Sequence, residues 1–141
     1  MTQLDTNTGI LYIENTTFPI AIDGTNSTDH EINGSIYSNL TSNISQLNDL
    51  PFNSTAYYKN KKLQRISLVI TNEYLKENYK PDNNTIDFRD YITPYIEFSK
   101  FKMEELLFNL TMTSKRKFVW GEISILIDPK DPLIFGEIKY Y

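Results

Sequence analysis

No lysine or arginine occurs in the first 58 residues of this chain, and all fourteen basic residues lie between Lys59 and Lys139. Residues 1 to 58 carry six acids for a net charge of −6, whereas residues 59 to 141 carry fourteen basic against twelve acidic groups, a net +2. Eight Asn, six Ser and nine Thr make up 23 of those first 58 residues, so this segment is solvated by neutral hydrogen bonding rather than by charge. One polar, sparsely charged, mildly acidic lobe is therefore expected beside a mixed-charge one. At 141 residues the chain has the usual length of one domain, residues 1–141, and is long enough to bury a core without staples.

The core has material to draw on, because ten Tyr, eight Phe and Trp120 supply large apolar areas that offset chain entropy. With no cysteine, disulfides, thiolate nucleophiles and cysteine metal sites are excluded together. The N-terminus lacks the basic cluster and apolar run of a signal or transit peptide, and no stretch approaches the roughly 20 apolar residues of a membrane helix. A net charge of −4 gives no general attraction to nucleic acid or anionic lipid.

The pattern along the chain predicts an α+β, mainly β architecture. Residues 10 to 22 read as a β-hairpin whose second strand, bearing Pro19, is an edge. Asp23-Gly24 and Asn33-Gly34 mark turns in a polar loop. From Ser35, Ile36, Leu40, Ile44 and Leu47 recur at helical spacing, which predicts a docked amphipathic helix over about 35–50, capped by Ser35 and ended by Pro51. Ile66 to Thr71 reads as a buried strand, Tyr74 to Tyr79 as a short helical turn, Asp82-Asn83-Asn84 as a turn and Ile86 to Ile92 as an extended piece. Thr93-Pro94 resembles a helix start. Helix or turn is expected to about Glu105, then a strand from the alternation of Leu106, Phe108, Leu110 and Met112. Phe118 to Ile127 and Leu133 to Tyr140 read as two strands of a C-terminal antiparallel meander, with Ser114-Lys115-Arg116-Lys117 leading into it.

Candidate chemistry is sparse. His30, the single histidine, lies between Asp29 and Glu31, where an exposed loop residue is the simpler reading than a base or ligand. The oxygen side chains of Asp23, Thr25, Ser27, Asp29 and Glu31 suggest a calcium loop. Gly stands at the second position rather than the sixth, however, and no Glu falls at the twelfth. No metal and no cofactor are therefore expected, Asp23, Asp29 and Glu31 being the nearest approach to a metal site. Tyr57, Tyr58, Lys59, Lys61, Lys62 and Arg65 interleave aromatics with cations, as single-stranded nucleic acid binders do. Lys115, Arg116 and Lys117 form a second basic run, and the two runs make one surface if their turns share an end of the sheet. Lys-rich turns also simply keep strand edges soluble, and nucleic acid is the less favoured partner. Phosphate loops, dinucleotide fingerprints, nucleophile elbows and zinc motifs are all missing from the sequence.

These features favour a non-enzymatic structural or adaptor subunit of a larger protein assembly, with tyrosines as amphipathic contacts and other protein subunits, the same chain included, as partners. Composition suggests a bacteriophage or virus particle as the setting, in the virion or the cytoplasm of an infected cell. The alternative is a small phage-type inhibitor that blocks a host protein. A third reading is a carbohydrate-binding surface module using Tyr, Asn and Asp.

Overall fold

Asparagine opens three two-residue turns that shape the main sheet. Asn33-Gly34, Asn48-Asp49 and Asn60-Lys61 all have positive φ at both positions, from 49° to 82°. This is the type I′ geometry whose twist matches that of the strands it joins, and Asn tolerates it better than most residues. The computed structural model describes residues 2–14, 16–22, 29–79, 88–128 and 133–141, with residues 88–93 described by backbone alone.

The described elements run β1 Gln3–Leu4, β2 Leu11–Ile13, β3 Thr16–Thr17, β4 His30–Ile32, β5 Ser35–Thr41, β6 Ser45–Leu47, β7 Leu50–Lys59, β8 Lys62–Ile70, α1 Asn72–Asn78, α2 Phe88–Thr111, β9 Gly121–Asp128 and β10 Leu133–Tyr140. The fold is α+β and mainly β, with every pairing antiparallel. A small sheet has the order β1-β2-β3, and a large one has the order β4-β5-β7-β8-β10-β9, with β6 paired to β7 off that path.

Alternation, broken once by a bulge in β8 between Leu63 and Arg65, gives the large sheet one buried face. Phe52, Ala56 and Tyr58 of β7, Leu63, Ile66, Leu68 and Ile70 of β8, Ile134 and Ile138 of β10 and Ile123 of β9 all point into the core. Two bodies cover that face. The first is α2, whose Ser99, Met103, Leu106, Leu107, Leu110 and Thr111 are buried at spacings of three and four. A Cβ on Gly136 would lie 3.0 Å from Met103 Sδ, so the helix sits directly on the backbone of β10. The second is the small sheet, which contributes Leu4, Leu11 and Ile13, followed by Phe18. Thr71 caps α1 by accepting a hydrogen bond from Tyr74 N at 3.4 Å.

Four sequence expectations are corrected. Residues 35–50 form β5, β6 and the start of β7 rather than a helix. Ile36 and Ile44 are exposed, so the period-four residues never shared a buried stripe, and a segment of Ser, Thr and Asn has little helix propensity to set against strand pairing. Pro51 lies within β7, opposite Gln46, instead of ending an element. Beyond Glu105 the chain stays helical to Thr111, and from Phe88 to Ile92 it is helical rather than extended. Leu106 and Leu110 are buried whereas Phe108, on the other side of the helix, and Met112, just past its end, are exposed, so the apparent alternation is not that of a strand.

Of the hairpin over 10–22 the first strand matches β2, but its partner β3 is Thr16–Thr17, ahead of the expected second strand, and Ile20 to Ile22 run along the start of β8 instead. Leu63 N donates to Ile20 O at 2.8 Å and Ile22 N to Lys61 O at 2.9 Å. The expected strand at 66–71, the helical turn at 74–79 and the meander match β8, α1 and β9–β10. The turn at Asp82-Asn83-Asn84 lies outside the described residues. Among the described residues, no helix is long and apolar enough to cross a membrane.

Leu107 is fully buried on α2, whereas Val119 is 98% exposed. Leu107→Ala is expected to cost about 2–5 kcal/mol and Val119→Ala about 0.5 kcal/mol or less, as read from urea denaturation midpoints at constant m.

Candidate interaction surface

The face of the large sheet opposite α2 is organised in rows that cross five strands. One row reads Asn39, Tyr57, Arg65, Lys139, Glu122, each directly opposite the next. The adjoining row reads Thr41, Thr55, Ser67, Glu137, Ser124. Beyond it lie Asn53 opposite Val69, and Phe135 opposite Leu126. These side chains are half-buried or exposed, because neighbours across the strands shield each other. The surface is thus amide, hydroxyl and aromatic, with a few charges toward one end.

Its best-defined feature is a Tyr–Arg pair. The Arg65 guanidinium lies 4.0 Å from the centre of the Tyr57 ring, and its Nη1 is 3.7 Å from Glu137 Oε2. Stacking and ion pairing hold a planar cation and a phenol side by side. Thr41 and Thr55 hydroxyls approach to 3.2 Å in the next row. Lys59 Nζ stands 6.0 Å from the Tyr37 ring at the sheet's end.

Adjacent residues Tyr57 and Tyr58 part company because a strand alternates its faces. Tyr58 is 1% exposed in the core, and its hydroxyl donates to Pro19 O at 2.7 Å, so it is not available to a partner. Lys59 and Lys62 flank the type I′ turn and are exposed, and Lys61 within that turn is half-buried. The second basic run lies at the same end of the sheet. β8 starts at Lys62, β10 ends at Tyr140 opposite the start of β9, and Lys117 bridges to Glu122.

Acids partly offset this basic end. Arg116 Nη2 donates to Glu104 Oε2, and Lys115 Nζ stands 5.2 Å from the Phe118 ring. Of the candidate cation loop, Asp23 lies outside the described residues. Asp29 accepts a hydrogen bond from Ser38 Oγ, and Glu31 is exposed in β4 opposite Ile36. Among the described residues no group of three His or acidic side chains is placed to hold a metal. His30 stacks on Tyr37 with ring centres 5.9 Å apart.

The sequence had pointed to Tyr57 and Arg65 but not to Asn39, Thr41, Thr55, Ser67, Glu137 or Lys139, which share their face. The alternation of buried and polar residues in β7 and β10 was the available signal. It becomes a surface only once the strand order is known. A cleft of about 480 Å³ lies elsewhere between β1, the β6–β7 turn and the end of α2. It is lined chiefly by Thr, Asn, Gln and Leu. Its one acid, Asp5, already accepts a hydrogen bond from Asn7 N at 2.8 Å. Compared with known protein families, curated proteins and solved structures, the chain matches none.

Burial pushes the Tyr58 phenol up to about 12 and holds Tyr140 above the ordinary tyrosine range, the neighbouring Tyr58 adding to the shift at Tyr140. Between the ordinary value of about 10 and 12, the unfolded chain has lost the Tyr58 proton while the folded chain keeps it, so stability falls as pH rises. Denaturation midpoints measured from pH 8 upward are expected to stay level to about 10 and then drop, with a shallower drop in Tyr58→Phe.

Proposed function

We propose that this chain is a non-enzymatic structural or adaptor subunit that docks on partner proteins through the half-exposed face of its large sheet. The observation that carries this reading is the Tyr57–Arg65 stack, set in a row of five facing residues. Tyr and Arg are enriched among the side chains that dominate binding energy, because each covers a large area while still offering polar contacts. Here the stack and Glu137 fix the guanidinium before a partner arrives, which lowers the entropy lost on docking. The Thr and Ser row beside it offers hydrogen bonds without a buried charge to desolvate. A partner with a flat, polar face and a carboxylate near Arg65 suits this arrangement, and a phage or virus particle is the setting that the composition suggests.

Arg65 is 43% exposed at its side chain and contributes little to the core. Affinity capture from the producing cells, followed by binding measurements on the protein recovered, tests the reading. Arg65→Ala and Tyr57→Ala are expected to weaken that complex by about 30-fold or more, roughly 2 kcal/mol, with the melting temperature nearly unchanged. Equal affinity of both variants and the parent chain would sink the proposal.

A further inference from the structure

The two edges of the large sheet are built differently. One edge is β4, three exposed residues including His30 and Glu31. The other is β9, eight residues paired to β10 in unbroken register from Gly121 to Asp128. Natural edge strands are blunted by brevity, by proline, by lysine or by a bulge, since a bare edge is a template for another strand. The sequence Gly-Glu-Ile-Ser-Ile-Leu-Ile-Asp has none of these.

Protection covers only the first part of β9. Ile123 N donates outward to Arg116 O at 2.8 Å, and Phe118 N donates to Gly121 O at 2.8 Å, so the segment ahead of β9 occupies the edge as far as Ile123. Because donors alternate in direction along a strand, the outward N–H of Ile123 sets those of Ile125 and Ile127 outward too. Among the described residues nothing pairs with the backbone of Ile125 or Ile127 on that side. Their side chains are apolar as well, with Ile127 50% and Leu126 38% exposed.

We infer that β9 is the site of self-association, pairing antiparallel with β9 of a second copy about a twofold axis at Leu126. This deepens the assembly reading above by naming one of its contacts. The register is dictated by the free groups. Ile125 faces the partner's Ile127 and Ile127 faces the partner's Ile125, each pair exchanging both backbone hydrogen bonds. Leu126 meets its own copy at a close, non-hydrogen-bonded position.

Shifting the axis to Ile125 would call on Ile123, whose amide is already bonded, and would set Glu122 against Asp128. In the register centred on Leu126, Asp128 falls opposite Ser124, so no like charges meet. Ile125 and Ile127 of both copies then cluster on the α2 side. Lys100 of α2 lines the small cleft formed by Ile125, Leu126, Ile127 and Ile134. Phe101, next in the helix, is 67% exposed. Each β10 would lie three strand spacings from its copy, about 14 Å, which leaves room for these side chains from both helices. A foreign strand could use the same edge, but only a second copy supplies the matched register and this helix flank.

Light scattering on the purified chain across a wide concentration range tests the inference. The expected mass rises toward twice 16.5 kDa as concentration increases. Leu126→Lys, which sets two ammonium groups face to face, and Ile127→Pro, which removes an outward N–H only, are expected to stay monomeric with unchanged circular dichroism. Arg65→Ala should dimerise like the parent chain, which separates this contact from docking by the sheet face. A parent chain that stays monomeric to about 1 mM, or a dimer undiminished in both folded variants, would overturn the inference.

Should either variant fail to fold, amide exchange of the parent chain decides. The Ile125 and Ile127 amides should exchange more slowly as concentration rises, and concentration-independent exchange there would equally overturn it.

Discussion

Trp120 ties the small sheet to the large one. Its indole N–H donates to Thr6 O at 2.8 Å, and its ring stacks on Phe118 with centres 5.1 Å apart and leans on Tyr140 at 5.3 Å. Gly9 passes so near that a Cβ would come within 2.5 Å of the ring, and its φ of +80° is one that other residues rarely adopt. Tyr140 then donates from its hydroxyl to Gly9 O at 2.6 Å. Strands of two or three residues cannot hold a sheet together by themselves. The small sheet persists because this clasp and the burial of Leu4, Leu11, Ile13 and Phe18 fix it to the larger body. Both partners of the clasp lie on the side that α2 already covers, so among the described residues no element is packed on the second face.

That one-sidedness explains the distribution of polar residues. The segment without cations supplies β5 and most of β7, where Asn39, Thr41, Asn53 and Thr55 face outward. The mixed-charge half supplies β8, β9 and β10, so Arg65, Lys139, Glu137 and Glu122 gather on the other half of the same face. The charge division along the chain thus becomes a division across one surface. Arg65–Glu137 is a partly exposed pair at 3.7 Å, worth at most about 1 kcal/mol to stability. Its effect is positional, since it holds Arg65 over Tyr57.

Much of the strand content was legible because it rests on local patterns. Ile123, Ile125 and Ile127 alternate, Asn33-Gly34 suits a type I′ turn, and Ile66 to Thr71 is β-branched and apolar. The errors arose where one pattern fits two structures. Ile36, Leu40, Ile44 and Leu47 repeat at nearly four residues, yet that repeat runs across two strands and the connection between them. Leu106, Phe108, Leu110 and Met112 alternate in sequence, yet the first three lie on two sides of one helix and Met112 just past its end. The surface was legible only in part. The interleaving of aromatics and cations groups Tyr57, Tyr58 and Arg65 together, yet strand alternation turns Tyr58 inward. The rows across the sheet depend on strand order, and no local pattern encodes the placement of β10 between β8 and β9.

Edge and face are coupled by geometry. An antiparallel β9–β9 contact has its twofold axis perpendicular to the sheet, so the two copies form one continuous sheet with both open faces on the same side. The two Tyr57–Arg65 stacks then point in one direction, separated by the strands between them. A partner with two copies of a matching face would meet both together, and the second contact would form at the high effective concentration set by a rigid sheet rather than by a flexible linker. A weak single-face affinity is therefore compatible with a stable assembly. Pairing through β4 would not reproduce this arrangement equally well, because its three residues offer too short a ladder to fix the angle between copies. In the proposed pairing, the stretch from Ser124 to Asp128, unpaired on that side among the described residues, would give the open faces a fixed relation to each other, and a one-sided sheet needs that relation to act as a bivalent platform.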